Sequence, residues 1–287
     1  MKDILFSGVC TAMVTPFREN RIDFDMLEAL IDRQIDAGVQ ALVICGTTGE
    51  APTVSQEEKL SMFRHAVRFT GGRCKIIAGT GTNDTAKTAE LTKKAEQCGV
   101  DGVLAVSPYY NKATPEGLYL HYKTICASTS LPVIAYNVPS RTGVDIPNPV
   151  YCRLWKIKNF AGVKECAGVG KAARLQSVCP AIPVWSGNDD QTVPMLSIGG
   201  KGVISVLSNV CPAETVRMVR LALNGDFVSA GKMQCALMEK IDFLFSEVNP
   251  IPVKAVLNEL GFPVGACRLP LTALSTEKRN RIHKLFG

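Results

Sequence analysis

Eight short apolar runs, each trailed by a segment of helical periodicity, alternate along this 287-residue chain and predict an α/β fold, a (β/α)8 TIM barrel. The runs are continuously apolar, as strands of a parallel sheet covered on both faces are. From Gly225 onward such runs stop and helical spacing continues, so a C-terminal helical appendix is expected. The predicted organisation is a catalytic barrel over 1–224 and a helical region over 225–287.

Gly8 to Val14 is the first strand, closed by Thr15-Pro16. Apolar residues at Phe24, Leu27, Leu30, Ile31 and Ile35 give a helix from Phe24 to Ala37, and Gly38 ends it. Ala41 to Cys45 is the second strand. Ser55 with Glu58 forms a capping box for the helix that follows, which stops at Gly71-Gly72. Lys75 to Ala78 is the third strand, and a helix from Asp84 to Cys98 stops at Gly99. The unit recurs with Val103 to Val106, Pro132 to Tyr136 and the run Phe160 to Glu165. Ile182 to Trp185 and Gly202 to Leu207 complete the eight. Phe227 to Val248, Val253 to Leu260 and Leu271 to Phe286 read as helices of the appendix.

A doubly wound nucleotide-binding sheet needs a glycine-rich turn after its first strand. The nearest match, Gly79-Thr80-Gly81-Thr82-Asn83-Asp84, follows the third strand and lacks the last glycine, and no G-K-[ST] phosphate loop is present. That fold is rejected.

Composition narrows the function classes. A net charge of +6 without a long Lys/Arg run favours small anionic substrates over nucleic acid. No stretch reaches the roughly 20 apolar residues of a membrane span. The apolar part of Met1 to Phe6 is too short for a signal peptide. The eleven cysteines form no C-x-x-C pair and no metal spacing, and read as reduced cytosolic thiols. Cys166 reads as a packing residue close to the site.

Catalytic residues of a barrel lie at the C-terminal strand ends. Here those ends carry Gly46-Thr47-Thr48-Gly49-Glu50, Gly81-Thr82-Asn83, Ser107 to Asn111, Tyr136 to Gly143, Lys164-Glu165, Ser186 to Asp189 and Ser208-Asn209. Histidine is missing from the set, because His65, His121 and His283 fall on helices, and no carboxylate cluster suits a divalent cation. Taken singly, each residue has an ordinary explanation: Thr47 and Thr48 as helix caps, Tyr136 as a packed aromatic, Tyr109-Tyr110 and Arg141 as solvated loop residues. Taken together on one face, they support amine chemistry. A neutral lysine attacks a carbonyl to form a Schiff base, and the iminium then serves as electron sink. Desolvation favours the neutral amine, tyrosines relay protons, and Arg141 offers a planar fork to a carboxylate.

The segments Gly46 to Glu50, Tyr136 to Gly143 and Gly162-Val163-Lys164-Glu165 resemble the signatures of the dihydrodipicolinate synthase family, pyruvate-dependent Schiff-base lyases and aldolases. The resemblance runs essentially end to end, through Gly199 to Ser205 and Asn249 to Lys254. It implies condensation of pyruvate with L-aspartate 4-semialdehyde to 4-hydroxy-tetrahydrodipicolinate, on the route to diaminopimelate and lysine. Lys164 would carry the Schiff base, with no separate cofactor and no metal. Tyr136 would relay protons through Thr47 to Tyr110, the last donated to a neighbouring subunit's site. Thr48 would hold the pyruvate carboxylate and Arg141 that of the semialdehyde, with Gly187 and Ile204 lining the site. A dimer would be the least catalytic unit, a tetramer the usual assembly and the cytoplasm the compartment.

Two alternatives stand beside this. One is a related pyruvate-dependent aldolase acting on sialic acid or a keto-deoxy sugar acid, whose relatives generally lack the equivalent of Arg141. The other is a non-catalytic keto-acid-binding paralogue. One departure concerns regulation. Asn83 and Tyr109 match the cluster of lysine-inhibited relatives, but Lys59 and Lys87 stand where a histidine and a glutamate are typical, and Gln56 replaces another histidine. Cations there would repel an α-amino group, so weak or absent inhibition by lysine is expected.

Overall fold

A computed structural model describes residues 2–287. The strands are β1 (Gly8–Ala12), β2 (Phe17–Arg18), β3 (Arg21–Ile22), β4 (Ala41–Ile44), β5 (Lys75–Gly79), β6 (Gly102–Val106), β7 (Val133–Asn137), β8 (Phe160–Glu165), β9 (Val184–Ser186) and β10 (Gly202–Ser205). Eight of them close a parallel barrel in the order β1-β10-β9-β8-β7-β6-β5-β4. The predicted fold is correct. Lys164 lies on β8, the sixth barrel strand.

Strands β2 and β3 form a small antiparallel hairpin that periodicity does not signal. Its turn, Glu19-Asn20, holds both residues at positive φ (51° and 61°), which matches the right-handed twist of a hairpin. The capping box at Ser55 is present, and Gly71 ends that helix in the left-handed region at φ 57°.

Other boundaries differ from expectation. β1 stops at Ala12; Met13 N–H still donates to the Val43 carbonyl (3.1 Å), and the buried Val14 N–H turns to Asn209 Oδ1 (3.2 Å). The seventh barrel strand is Val184–Ser186, since Pro183 has no N–H for a ladder. Between β7 and β8 the helical segment splits into Pro139–Thr142 and Asn148–Leu154, separated by Gly143 at φ 70° and by Pro147. The appendix helix ends at Leu244, not Val248. The predicted helix Leu271–Phe286 is two short ones, Thr276–Arg279 and Ile282–Phe286. Only Leu274 and Ile282 of that stretch are buried, too few to hold one continuous apolar stripe.

Side chains sort by strand parity. In β4, Ala41 and Val43 point into the barrel while Leu42 and Ile44 pack outward under the helices. β8 breaks this rule at a bulge: Val133 pairs with Phe160 but Ile134 with Gly162, leaving Ala161 as the extra residue. Ala161 faces inward and Val163 outward, so Lys164 faces inward as well. Without the extra residue Lys164 would point at the helices.

Candidate active site

Parity in β7 puts Tyr136 inside the barrel, paired in register with Lys164 on β8. Lys164 Nζ lies 4.2 Å from the centroid of the Tyr136 ring. The lysine is 6% exposed and forms no ion pair among the described residues. Burial lowers its pKa from the ordinary lysine value, while Cys166, Cys10 and Asp189 act in the opposite sense. A buried, unpaired amine of this kind is a nucleophile in waiting.

The Tyr136 phenol is pushed well up, first by burial and then by Cys166, whereas Arg141 and the hydroxyl of Thr47 act to lower it. Such a phenol stays protonated and can donate and accept in turn. Thr47 and Tyr136 line one cleft of about 350 Å³, together with Arg141 and Tyr109.

Thr48 sits on the loop after β4, a tight turn closed by Gly49 N–H to the Gly46 carbonyl (3.1 Å) and Glu50 N–H to the Thr47 carbonyl (3.0 Å). The N–H groups of Thr47 and Thr48 find no acceptor among the described residues, a ready carboxylate cradle. The buried Thr48 hydroxyl accepts from Asn249 Nδ2 at 2.9 Å. Arg141 is exposed at the cleft mouth, where its Nη2 donates to the Asn249 carbonyl at 3.1 Å.

Gly187 closes the other side. A Cβ there would fall 2.3 Å from Cys166 Sγ and 2.9 Å from Lys164 Cε, so only glycine leaves room for the lysine. Ile204 is fully buried inside the barrel, in the same interior cluster as Tyr136. Lys164, Tyr136, Thr47, Thr48, Arg141 and Gly187 thus join one connected set: Thr47, Tyr136 and Arg141 line the cleft, Lys164 packs on Tyr136 and against Gly187, and Asn249 links Thr48 to Arg141. Tyr110 does not join it: it is 89% exposed, at φ 71°, and does not line its own cleft.

Three residues at the site escape sequence reasoning. Cys166, read as packing, lies against Gly187 and beside Lys164, and burial pushes its thiol up to about 11. Asn249 comes from the appendix and touches both Thr48 and Arg141. Glu50, last residue of the Gly-Thr-Thr-Gly-Glu segment, pairs with buried Lys254 at 2.9 Å instead of facing the cleft. No group of His, Cys, Asp or Glu among the described residues is placed to hold a metal ion.

Fold and site together define a (β/α)8 barrel built around a buried lysine amine. Residues 5–286 match the Dihydrodipicolinate synthetase family, and the chain belongs to that family. It is 46% identical over 285 residues to 4-hydroxy-tetrahydrodipicolinate synthase of Acetivibrio thermocellus, covering 99% of this chain and 97% of the relative. The same enzyme of Kosmotoga olearia is also 46% identical, over 98% and 97% of the two chains. The crystal structure of dihydrodipicolinate synthase from Thermotoga maritima superposes with a TM-score of 0.95 at 41% identity, over 98% of this chain and 97% of that one.

Proposed function

We propose that this protein condenses pyruvate with L-aspartate 4-semialdehyde to 4-hydroxy-tetrahydrodipicolinate, feeding diaminopimelate and lysine synthesis. The observation that carries the reading is the buried, unpaired Lys164 amine beside the Tyr136 phenol. Lys164 Nζ adds to C2 of pyruvate, and the carbinolamine loses water to give the iminium. Tyr136, through Thr47, moves the protons those steps require. Loss of a methyl proton gives an enamine, whose carbon attacks the aldehyde of the second substrate. The amine of that substrate then displaces Lys164 as the ring closes, and one water is released overall. The Thr47 and Thr48 N–H groups bind the pyruvate carboxylate, and Arg141 binds that of the semialdehyde. Gly187 and Ile204 line the pocket. No separate cofactor is required.

The same reading has Tyr110 completing a neighbour's site. Its exposure and its absence from its own cleft support this. A dimer is then the least catalytic unit, a dimer of dimers the assembly and the cytoplasm the compartment.

Borohydride reduction with pyruvate, followed by peptide mass mapping, tests the first half of the mechanism. An adduct on Lys164 is expected, and its absence sinks the mechanism. Assay with the semialdehyde tests the second half. Arg141→Ala should raise KM for the semialdehyde at least about tenfold with the adduct intact. Full condensation activity in that variant would favour a sugar-acid aldolase.

A further inference from the structure

Behind Lys164 and Tyr136, on the opposite face of the same two strands, lies a second register pair, Asn137 and Glu165. Both are buried, Asn137 completely and Glu165 to 1% exposure. Glu165 Oε1 accepts from Asn137 Nδ2 at 2.8 Å and from the Ala167 N–H at 2.7 Å. Asn137 in turn spans the loop that bears Arg141. Its Nδ2 also donates to Asp145 Oδ1 at 2.8 Å, and its Oδ1 accepts from the Ile146 N–H at 3.1 Å. One side chain therefore ties the start of the 138–144 segment to its end. Lys171, on the helix Val169–Val178 that follows β8, anchors Asp145 from the other side at 3.0 Å.

The far end of the Arg141 segment is thus fastened to the Asn137 side chain, and Asn137 is in turn held by Glu165, the residue that follows Lys164 in the chain. We propose that Glu165 is a positioning residue: it holds the Arg141 loop in register with Lys164 and thereby sets affinity for the second, carboxylate-bearing substrate. This rests on the reading of Arg141 as the clamp for that substrate. Glu165 touches no reacting atom, because it faces the helices and not the barrel interior. Its other oxygen, Oε2, is buried beside the Tyr151 hydroxyl, and burial pushes the carboxyl up to about 7. Such a group is costly to keep, and a purely structural strand end could be filled by an apolar residue instead.

The test compares Glu165→Ala and Glu165→Gln with the native enzyme. Glu165→Ala is expected to raise KM for the semialdehyde about tenfold or more, with KM for pyruvate and the Lys164 adduct nearly unchanged. Glu165→Gln keeps an acceptor for both N–H groups and should stay within about threefold of native. Should Glu165→Ala fail to fold, Asp145→Ala, at an exposed position, removes the Asn137–Asp145 bond that Glu165 supports and should shift the same constant alone. Unchanged semialdehyde KM in either alanine variant, or KM for pyruvate rising in step, overturns the proposal. Amide hydrogen exchange of residues 138–144 reads the tie without any second substrate. Exchange about tenfold faster in the alanine variant supports it, and unchanged exchange overturns it. A native enzyme that forms the adduct but consumes no semialdehyde overturns the functional reading, while the exchange result still decides the role of Glu165.

Discussion

Lys164 and Tyr136 face each other inside the barrel because they are register partners on adjacent strands, with Nζ 4.2 Å from the ring centroid. Tyr136→Phe keeps the ring that packs there and removes only the hydroxyl. We expect kcat to fall about 100-fold or more while the protein remains folded, as befits loss of a proton relay. Steady-state kinetics with circular dichroism as the folding control would check this.

Burial lowers the pKa of Lys164, and only the neutral amine attacks. The sign follows directly: protonation at low pH blocks the nucleophile. The rate of borohydride-trapped adduct formation should therefore climb as pH rises toward the lowered value. It should level off before the ordinary lysine value of 10.5. A rate still rising steeply at that pH would show a solvated amine.

The Lys254–Glu50 ion pair is sealed, with side chains 2% and 1% exposed, and Lys254 also donates to the carbonyls of Thr15 and Ala266. It joins the appendix to the loop carrying Thr47 and Thr48. Removing one partner leaves the other charge buried alone, so Lys254→Met should cost about 3–5 kcal/mol in denaturant unfolding. The double variant Lys254→Met, Glu50→Gln should recover part of that loss. Equal stability of the single variant and the native protein would contradict a structural role for the pair.

Lys59 lines the cleft beside Tyr109, and Lys87 stands exposed near Asp84. A cation at Lys59, and the want of a carboxylate at position 87, disfavour the α-amino group of free lysine. Feedback inhibition should be weak or absent, and half-maximal inhibition below about 1 mM lysine in a steady-state assay would refute it.

Eight apolar runs, their order, the capping box at Ser55 and the placement of Lys164 at a strand end are all legible in the linear chain. Each rests on local periodicity or on chemistry between near neighbours. The facing of Lys164 is not legible. It depends on the bulge at Ala161, one residue that reverses the parity of everything after it, and a continuous apolar run conceals which residue is extra.

Long-range partners are hidden for a related reason. Asn249 reaches Thr48 across 201 positions of sequence, and Lys254 reaches Glu50 across 204. Nothing in the spacing near Asn249 or Lys254 marks them as neighbours of the strand ends. Tyr110 shows the opposite case, a residue picked out by its strand-end position that the fold turns away from its own cleft. Linear pattern alone established the barrel and the lysine at the end of its sixth strand. Folding in three dimensions sets which way that amine points and which distant side chains, Asn249 and Lys254, reach the loop bearing Thr47 and Thr48. Periodicity encodes burial along one element, whereas direction and partnership arise only when the closed sheet brings remote elements together.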